Sequence, residues 1–270
     1  LITWLYGQFL FEMPYSNINH PTIEANQPPS LKDFWEARGR TGFWVTTVMG
    51  YTIGCVIASL AYRCRVSPNL ATIFGFFTAV IAVLPIAVGS FSERWVEGLW
   101  LGIFLLLSYG WDCADGILSR VTGKGSSFGM IWDKLVDLLS FYAVTAALCC
   151  MAKDTPPAIS GIQENWHAVR PILMLWSLMP KSLFSVFCWL KDQQINGMSR
   201  SQPASKTLSL ADRIRRFAGN LIDEPVFRVG LAAAWAFGFF WEYVIIFQGI
   251  YAFIFVAYVA DSWRKLSKAQ

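Results

Sequence analysis

From Pro68 onward the chain is a series of apolar segments, near residues 70–89, 95–119, 127–152, 166–190, 226–241 and 243–262. A helix needs roughly 20 apolar residues to cross the hydrocarbon core of a bilayer, and several of these runs approach that length. Composition agrees: of 270 residues, 55% are hydrophobic and 15% charged, with a mean hydropathy of +0.43, where a soluble domain carries more polar surface. The expected fold is all-α, a polytopic membrane helix bundle of six core transmembrane helices.

Turn chemistry separates the segments: Gly89-Ser90, the Gly123-Lys124-Gly125 loop, the Pro156-Pro157 loop and the long polar stretch from Lys191 to Pro225. Between the last two segments only Trp241-Glu242-Tyr243 offers a turn. Upstream, residues 13–30 are rich in Pro and Asn and read as a loop, and Ser30 with Asp33 resembles a capping box that opens a helix. The stretch LKDFWEARGR, residues 31–40, mixes Phe34 and Trp35 with alternating charge, the pattern of a helix lying in the membrane interface. Residues 43–62 are apolar but interrupted by Gly, Thr and Ser, and either span or stay half-buried. The run Leu1–Phe11 lacks a basic flank and is too short to span, so it reads as interfacial or as a product of truncation in a chain that starts at Leu1. The expected organisation is an N-terminal segment (1–66), a six-helix membrane domain (67–265) and a short tail (266–270).

The six cysteines, Cys55, Cys64, Cys113, Cys149, Cys150 and Cys188, form no C-x-x-C pair, and only His20 and His167 could join them. That argues against zinc and against a disulfide framework; small packing residues are the simpler reading. Basic residues concentrate in 191–228 (Lys191, Arg200, Lys206, Arg213, Arg215, Arg216, Arg228) and at the C-terminus (Arg264, Lys265, Lys268), with few near residue 93 or in 153–170. The positive-inside rule then places the N-terminus, the 120–126 loop, the basic loop and the C-terminus on the cytoplasmic side.

Against this apolar background, WDCADGILSRVTGKGSSFGMIWDKLVD, residues 111–137, carries four aspartates. Carboxylates beside hydrocarbon are costly and generally mark function. Asp112 and Asp115 are three apart, Asp133 and Asp137 four apart, so each pair shares a helix face. A short loop joins the two helices, which are expected to be antiparallel neighbours whose acidic faces converge. Gly116 and Gly129 fall on the same faces and leave room for close approach or for a ligand. Four converging carboxylates are stable at neutral pH only with cations or protons to offset their repulsion. An all-oxygen site without His or Cys suits Mg²⁺ or Mn²⁺, and a pair of such ions beside a membrane suggests phosphate chemistry. A carboxylate not fully committed to metal can take a proton from an attacking hydroxyl. The bland alternative is a set of helix-end charges paired with Arg120, Lys124 and Lys134.

The spacing Asp112-x-x-Asp115-Gly116-x-x-Ser119-Arg120, then eight residues, then Gly129-x3-Asp133-x3-Asp137, is similar to the signature of the CDP-alcohol phosphotransferase family, D-x-x-D-G-x-x-A-R-x8-G-x3-D-x3-D. The departure is Ser119, where the family has Ala; its hydroxyl could touch substrate. Pro68-Asn69-x-x-Thr72 more weakly resembles the Pro-Asn-x-x-Thr that opens the family's first core span. The resemblance implies that Asp112, Asp115, Asp133 and Asp137 bind two divalent cations, Mg²⁺ or Mn²⁺, and that Asp137 is the general base. It also implies that Gly116, Arg120 and Gly129 line the CDP site with Asn69 and Thr72 nearby.

The implied reaction joins an alcohol to a CDP-linked donor and releases CMP. The expected form moves a phosphatidyl group from CDP-diacylglycerol to a polar alcohol in phospholipid biosynthesis; the alternative moves a phospho-headgroup from a soluble CDP-alcohol to a lipid hydroxyl. Residues 205–220, SKTLSLADRIRRFAGN, read as a basic amphipathic helix. Because Arg suits bidentate phosphate binding, Arg213, Arg215, Arg216 and Arg228 are candidates for an acceptor's phosphate, which favours glycerol phosphate or inositol phosphate over serine; attraction to anionic headgroups is the other reading. A divalent-cation transporter is an alternative of another class, but it places its acidic residues near the midplane rather than at span ends. The expected partners are the CDP-linked donor, a lipid, a polar alcohol acceptor and the bilayer, with no nucleic acid; self-association into a homodimer is compatible with these.

Overall fold

The computed structural model describes residues 28–39, 45–196 and 223–267. Every described regular element is helical: α1 (Leu31–Glu36), a π-helical segment (Thr46–Tyr51) running directly into α2 (Thr52–Arg63), α3 (Pro68–Ala87), α4 (Arg94–Thr122), α5 (Ser127–Met151), a 3₁₀ turn (Ala152–Asp154), α6 (Ser160–Glu164), α7 (Trp166–Asn196), α8 (Glu224–Phe237) and α9 (Phe240–Ser267). Local chemistry sets the ends. Ser30 and Asp33 cap α1 reciprocally; Ser67 precedes Pro68 and caps α3; Ser126 accepts the Gly129 N–H at 2.9 Å to start α5. Gly123 closes α4 at φ 65° and Gly238 closes α8 at φ 79°, the left-handed geometry that glycine adopts without a Cβ penalty.

Among the described residues, four helices are long and apolar enough to cross a membrane: Pro68–Ala87, Arg94–Thr122, Ser127–Asp154 and Phe240–Ala257. The chain is therefore an all-α, multi-pass membrane bundle, with leucine, valine, isoleucine and phenylalanine exposed along its flanks for lipid to cover. Two of the six expected spans are not among these four: the one at 166–190 corresponds to α7, 31 residues long with Pro171 and Pro180 inside it, and the one at 226–241 corresponds to α8, whose 14 residues are fewer than a full crossing takes. The segment 43–62, left open by its composition, is helical where described and packs on α4, but does not rank among the four.

Helix α4 is the hub, packing on α2, α3 and α8. Small residues allow these approaches: a Cβ on Gly98 would lie 2.3 Å from the Ala236 Cβ, and one on Gly54 would lie 2.7 Å from the Cys113 Cβ. This is the packing mode of helices that lack a hydrophobic drive to associate. One core joins α3, α4, α5, α7, α8 and α9 around Leu101, Leu148, Leu231 and Trp241; a second joins α1, α2 and α4 around Phe34, Ala58, Ile117 and Leu118.

Several boundaries differ from expectation. The turn between the last two segments is not Trp241-Glu242-Tyr243, which lies inside α9, but Gly238-Phe239. Gly238 supplies the positive φ, and Trp241, 2% exposed, donates its indole N–H to the Ala152 carbonyl at 3.0 Å. Helix α1 stops at Glu36 rather than continuing to Arg40, and α7 runs past Lys191 to Asn196. Leu1–Phe11, most of the 13–30 loop and the basic 205–220 stretch lie outside the described residues. Of the cysteines, Cys55, Cys113 and Cys149 are buried and free, while Cys64 and Cys150 are free and exposed.

Candidate active site

The aspartates do not meet through direct packing of the helices that carry them. Helix α3 packs along both α4 and α5, whereas α4 and α5 make little backbone contact with each other, so the expected neighbours converge at their acidic faces across a gap. The carboxylates reach across the gap so formed. One carboxylate oxygen from each of Asp112, Asp133 and Asp137 lies within 4.8 Å of the others. Asp115 is buried beside this triad. It accepts the Thr72 hydroxyl at 2.5 Å and lies within electrostatic range of Asp133, so Thr72, on α3, braces the cluster from the side.

Helix α4 continues to Thr122 and only then meets the Gly123 cap. Asp112 therefore lies about 15 Å from the end of its helix, at 1.5 Å per residue. Lys134 forms ion pairs with Asp133 at 3.0 Å and Asp137 at 2.8 Å, as the bland alternative anticipated, but one partly exposed ammonium cannot balance four carboxylates. Asp133 Oδ1 is buried and has no hydrogen-bond partner among the described residues. A buried orphan carboxylate oxygen within a triad of oxygen ligands, with neither His nor Cys among them, fits a hard divalent cation.

The glycines sit where side chains would obstruct. A Cβ on Gly129 would lie 3.1 Å from the Asn69 amide oxygen and from the Ser126 hydroxyl, and a Cβ on Gly116 would lie 3.3 Å from both terminal nitrogens of Arg120. Ser119 turns its hydroxyl onto its own helix, donating to the Gly116 carbonyl at 2.9 Å. Arg120 donates its Nε–H to the Ala37 carbonyl at the end of α1.

Of the four basic acceptor candidates, Arg213, Arg215 and Arg216 lie outside the described residues. Arg228 is on α8, donating to Glu224 at 3.0 Å, to the Leu105 carbonyl at 3.1 Å and to the Ser108 hydroxyl at 3.1 Å, within electrostatic range of Asp112 and Asp137. Glu224 also holds Lys181, Nζ–Oε2 2.6 Å, and Lys181 lies over the rings of Phe141 and Phe227. Lys181 and Glu224 did not stand out in the sequence. The available signal was a lysine set between Pro180 and an apolar run, a position that would be costly without a partner. A narrow cavity of about 20 Å³ is bordered by Ser140, Thr145, Glu224 and Arg228; it has room for about one water molecule.

The N-terminal helices reach the same region. Thr46, in the π-helical segment, donates to Asp223 at the start of α8 and shares a hydrogen bond with Tyr109 at 3.1 Å, while Tyr109 lies under the Arg228 guanidinium.

The sequence profile of the CDP-alcohol phosphatidyltransferase family matches residues 65–211, a stretch that contains all four aspartates. An archaetidylinositol phosphate synthase from Pyrococcus horikoshii is 35% identical over 88 residues, which cover 33% of this chain and 41% of that relative.

Proposed function

We propose that this chain, which belongs to the CDP-alcohol phosphatidyltransferase family, transfers a phosphatidyl group from CDP-diacylglycerol to a polar alcohol and releases CMP, in phospholipid biosynthesis. The observation that carries this reading is the convergence of Asp112, Asp133 and Asp137 from two helices at the spacing of the signature. The charge pattern of the loops favours a cytoplasmic location for this end of the bundle, where soluble nucleotides are found.

Asp112, Asp133 and Asp137, with Asp115 alongside, would hold Mg²⁺ or Mn²⁺. When bound, such ions supply Lewis-acid polarisation of phosphoryl oxygens and stabilise a phosphate leaving group. The residues of the chain do the rest. Asp137 takes the proton of the acceptor hydroxyl as its oxygen bonds to the phosphorus bearing the diacylglycerol, and the bond from that phosphorus to the CMP oxygen breaks. Asn69, Thr72, Gly116, Ser119, Arg120 and Gly129 form the side assigned to the nucleotide, where the two glycines let Arg120 and Asn69 approach the helix backbone closely. Thr72 holds Asp115 in place through its hydroxyl.

Among the described residues, Arg228 and Lys181 share one carboxylate, Glu224, so we expect this group to carry a positive charge near Asp137 that attracts an anionic acceptor. The printed name of the Pyrococcus horikoshii relative also favours a phosphorylated polyol, inositol phosphate or glycerol phosphate. The decisive experiment incubates purified protein with Mg²⁺ or Mn²⁺ and every pairing of CDP-diacylglycerol or a soluble CDP-alcohol with candidate acceptors, and measures CMP. Release only from soluble CDP-alcohols in the presence of a lipid acceptor would replace this reading with headgroup transfer. Metal flux in vesicles without any CMP release would point to a transporter.

A further inference from the structure

Helix α1 lies outside the stretch matched by the family profile, yet it holds a residue of the signature. Its capping box fixes its start, with the Ser30 N–H donating to Asp33 at 2.6 Å. Its one fully buried side chain, Phe34 at 1% exposure, packs edge-on against Tyr62 of α2 and enters the core formed with Ala58, Ile117 and Leu118. Docked in this way, the helix presents the Ala37 carbonyl to the Arg120 Nε–H. Carbonyls at a helix C-terminus lack intrahelical partners and carry partial negative charge, which suits a guanidinium.

This bond has a geometric consequence. A guanidinium is a rigid planar fork, so fixing Nε also fixes the two terminal nitrogens. They lie over Gly116, each 3.3 Å from where a Cβ would be, on the face assigned to the CDP moiety. A side chain at Gly116 would push the fork away, and a released α1 would leave it free to rotate.

We infer that α1 is a positioning element for the nucleotide site: its docking through Phe34 aims the Arg120 fork across Gly116 toward the phosphates of a cytidine nucleotide. This rests on the assignment of Arg120 to the nucleotide. Phe34 and Ala37 are positioning residues, acting only through Arg120.

The test is the Kd of CDP in the presence of Mn²⁺ for protein in nanodiscs, measured by calorimetry for wild type, Phe34→Ala, Phe34→Leu, Arg120→Ala and the Phe34→Ala/Arg120→Ala double variant. A charge-assisted contact contributes about 1.5–3 kcal/mol, so Arg120→Ala is expected to weaken CDP by roughly ten- to a hundredfold. Phe34→Ala should weaken it several-fold, Phe34→Leu should restore most of the loss, and the double variant should bind no worse than Arg120→Ala alone. Losses that multiply in the double variant, or an unchanged Kd in Phe34→Ala, would overturn the inference while leaving Arg120 as a nucleotide contact. A normal Kd in Arg120→Ala would remove both. Absence of CDP binding by the wild type would refute the proposed function itself. If Phe34→Ala does not fold, Ser30→Ala, which loosens α1 from its exposed end, replaces it, with a smaller loss in the same direction expected and an unchanged Kd again overturning the inference.

Discussion

Glu224 is the single carboxylate between two buried cations, and its removal should be among the most damaging changes outside the aspartate cluster. Lys181 and Arg228 have side chains only 9% and 11% exposed, and both bond to Glu224, at 2.6 Å and 3.0 Å. Removing one partner of a buried ion pair leaves an uncompensated charge and costs about 3–5 kcal/mol. Two features place Glu224→Ala at the lower end of that range: the Glu224 side chain is 29% exposed, and the rings of Phe141 and Phe227 continue to face the Lys181 ammonium. The expected loss is about 3 kcal/mol, more than a hundredfold in the folding equilibrium. Glu224→Gln keeps an acceptor oxygen but no charge, and should lose about half as much. Adding Lys181→Met to Glu224→Gln removes one orphaned cation and should recover stability, which simple loss of contacts cannot do. Reversible unfolding in mixed micelles measures all three variants. A Glu224→Ala protein within about 1 kcal/mol of wild type, or a double variant weaker than Glu224→Gln, would refute the view that this ion cluster is buried and mutually dependent.

Asp137→Asn keeps the shape of the side chain and removes its basicity; the protein should still bind metal and the CDP-linked donor while kcat falls by about 10²-fold or more, and near-normal turnover would withdraw the general-base role. Chelator should abolish CMP release, and Asp133→Asn, which alters the buried orphan oxygen, should weaken Mn²⁺ binding as read by titration of the metal alone; unchanged affinity would remove the cluster as a metal site. At α1, the Ser30 hydroxyl and N–H hold the Asp33 carboxyl below its ordinary value of 3.8. A depressed folded-state pKa means that the stabilisation is present above the unfolded value and is lost as pH falls through the folded one. Protection of the 34–37 amides, corrected for intrinsic exchange, should therefore be lower near about pH 3 than near about pH 6 in wild type and pH-insensitive in Asp33→Asn; equal protection at both pH values in wild type would refute the cap's contribution.

What the sequence determined by itself was whatever depends on spacing along one helix or on the chemistry of a single turn. Asp112 with Asp115 and Asp133 with Asp137 share faces because a helix repeats every 3.6 residues. Ser30 and Gly123 mark helix ends because capping is local. The apolar runs announce a membrane because only that solvent tolerates them. The tertiary structure decided what depends on residues far apart in the chain. It placed α3 between the acidic helices, so that the carboxylates meet across a gap. It turned the Arg120 Nε–H to Ala37, 83 residues earlier. It also drew Lys181, Glu224 and Arg228 into one buried group from two helices. The Gly238 turn escaped notice because a lone glycine inside an apolar run reads equally as a packing residue, and only the burial of Trp241 against Ala152 shows on which side the chain reverses. Periodicity and caps are written in neighbours within about four positions, whereas the partner of a buried charge is selected by which helices pack together, and that choice is a property of the whole bundle.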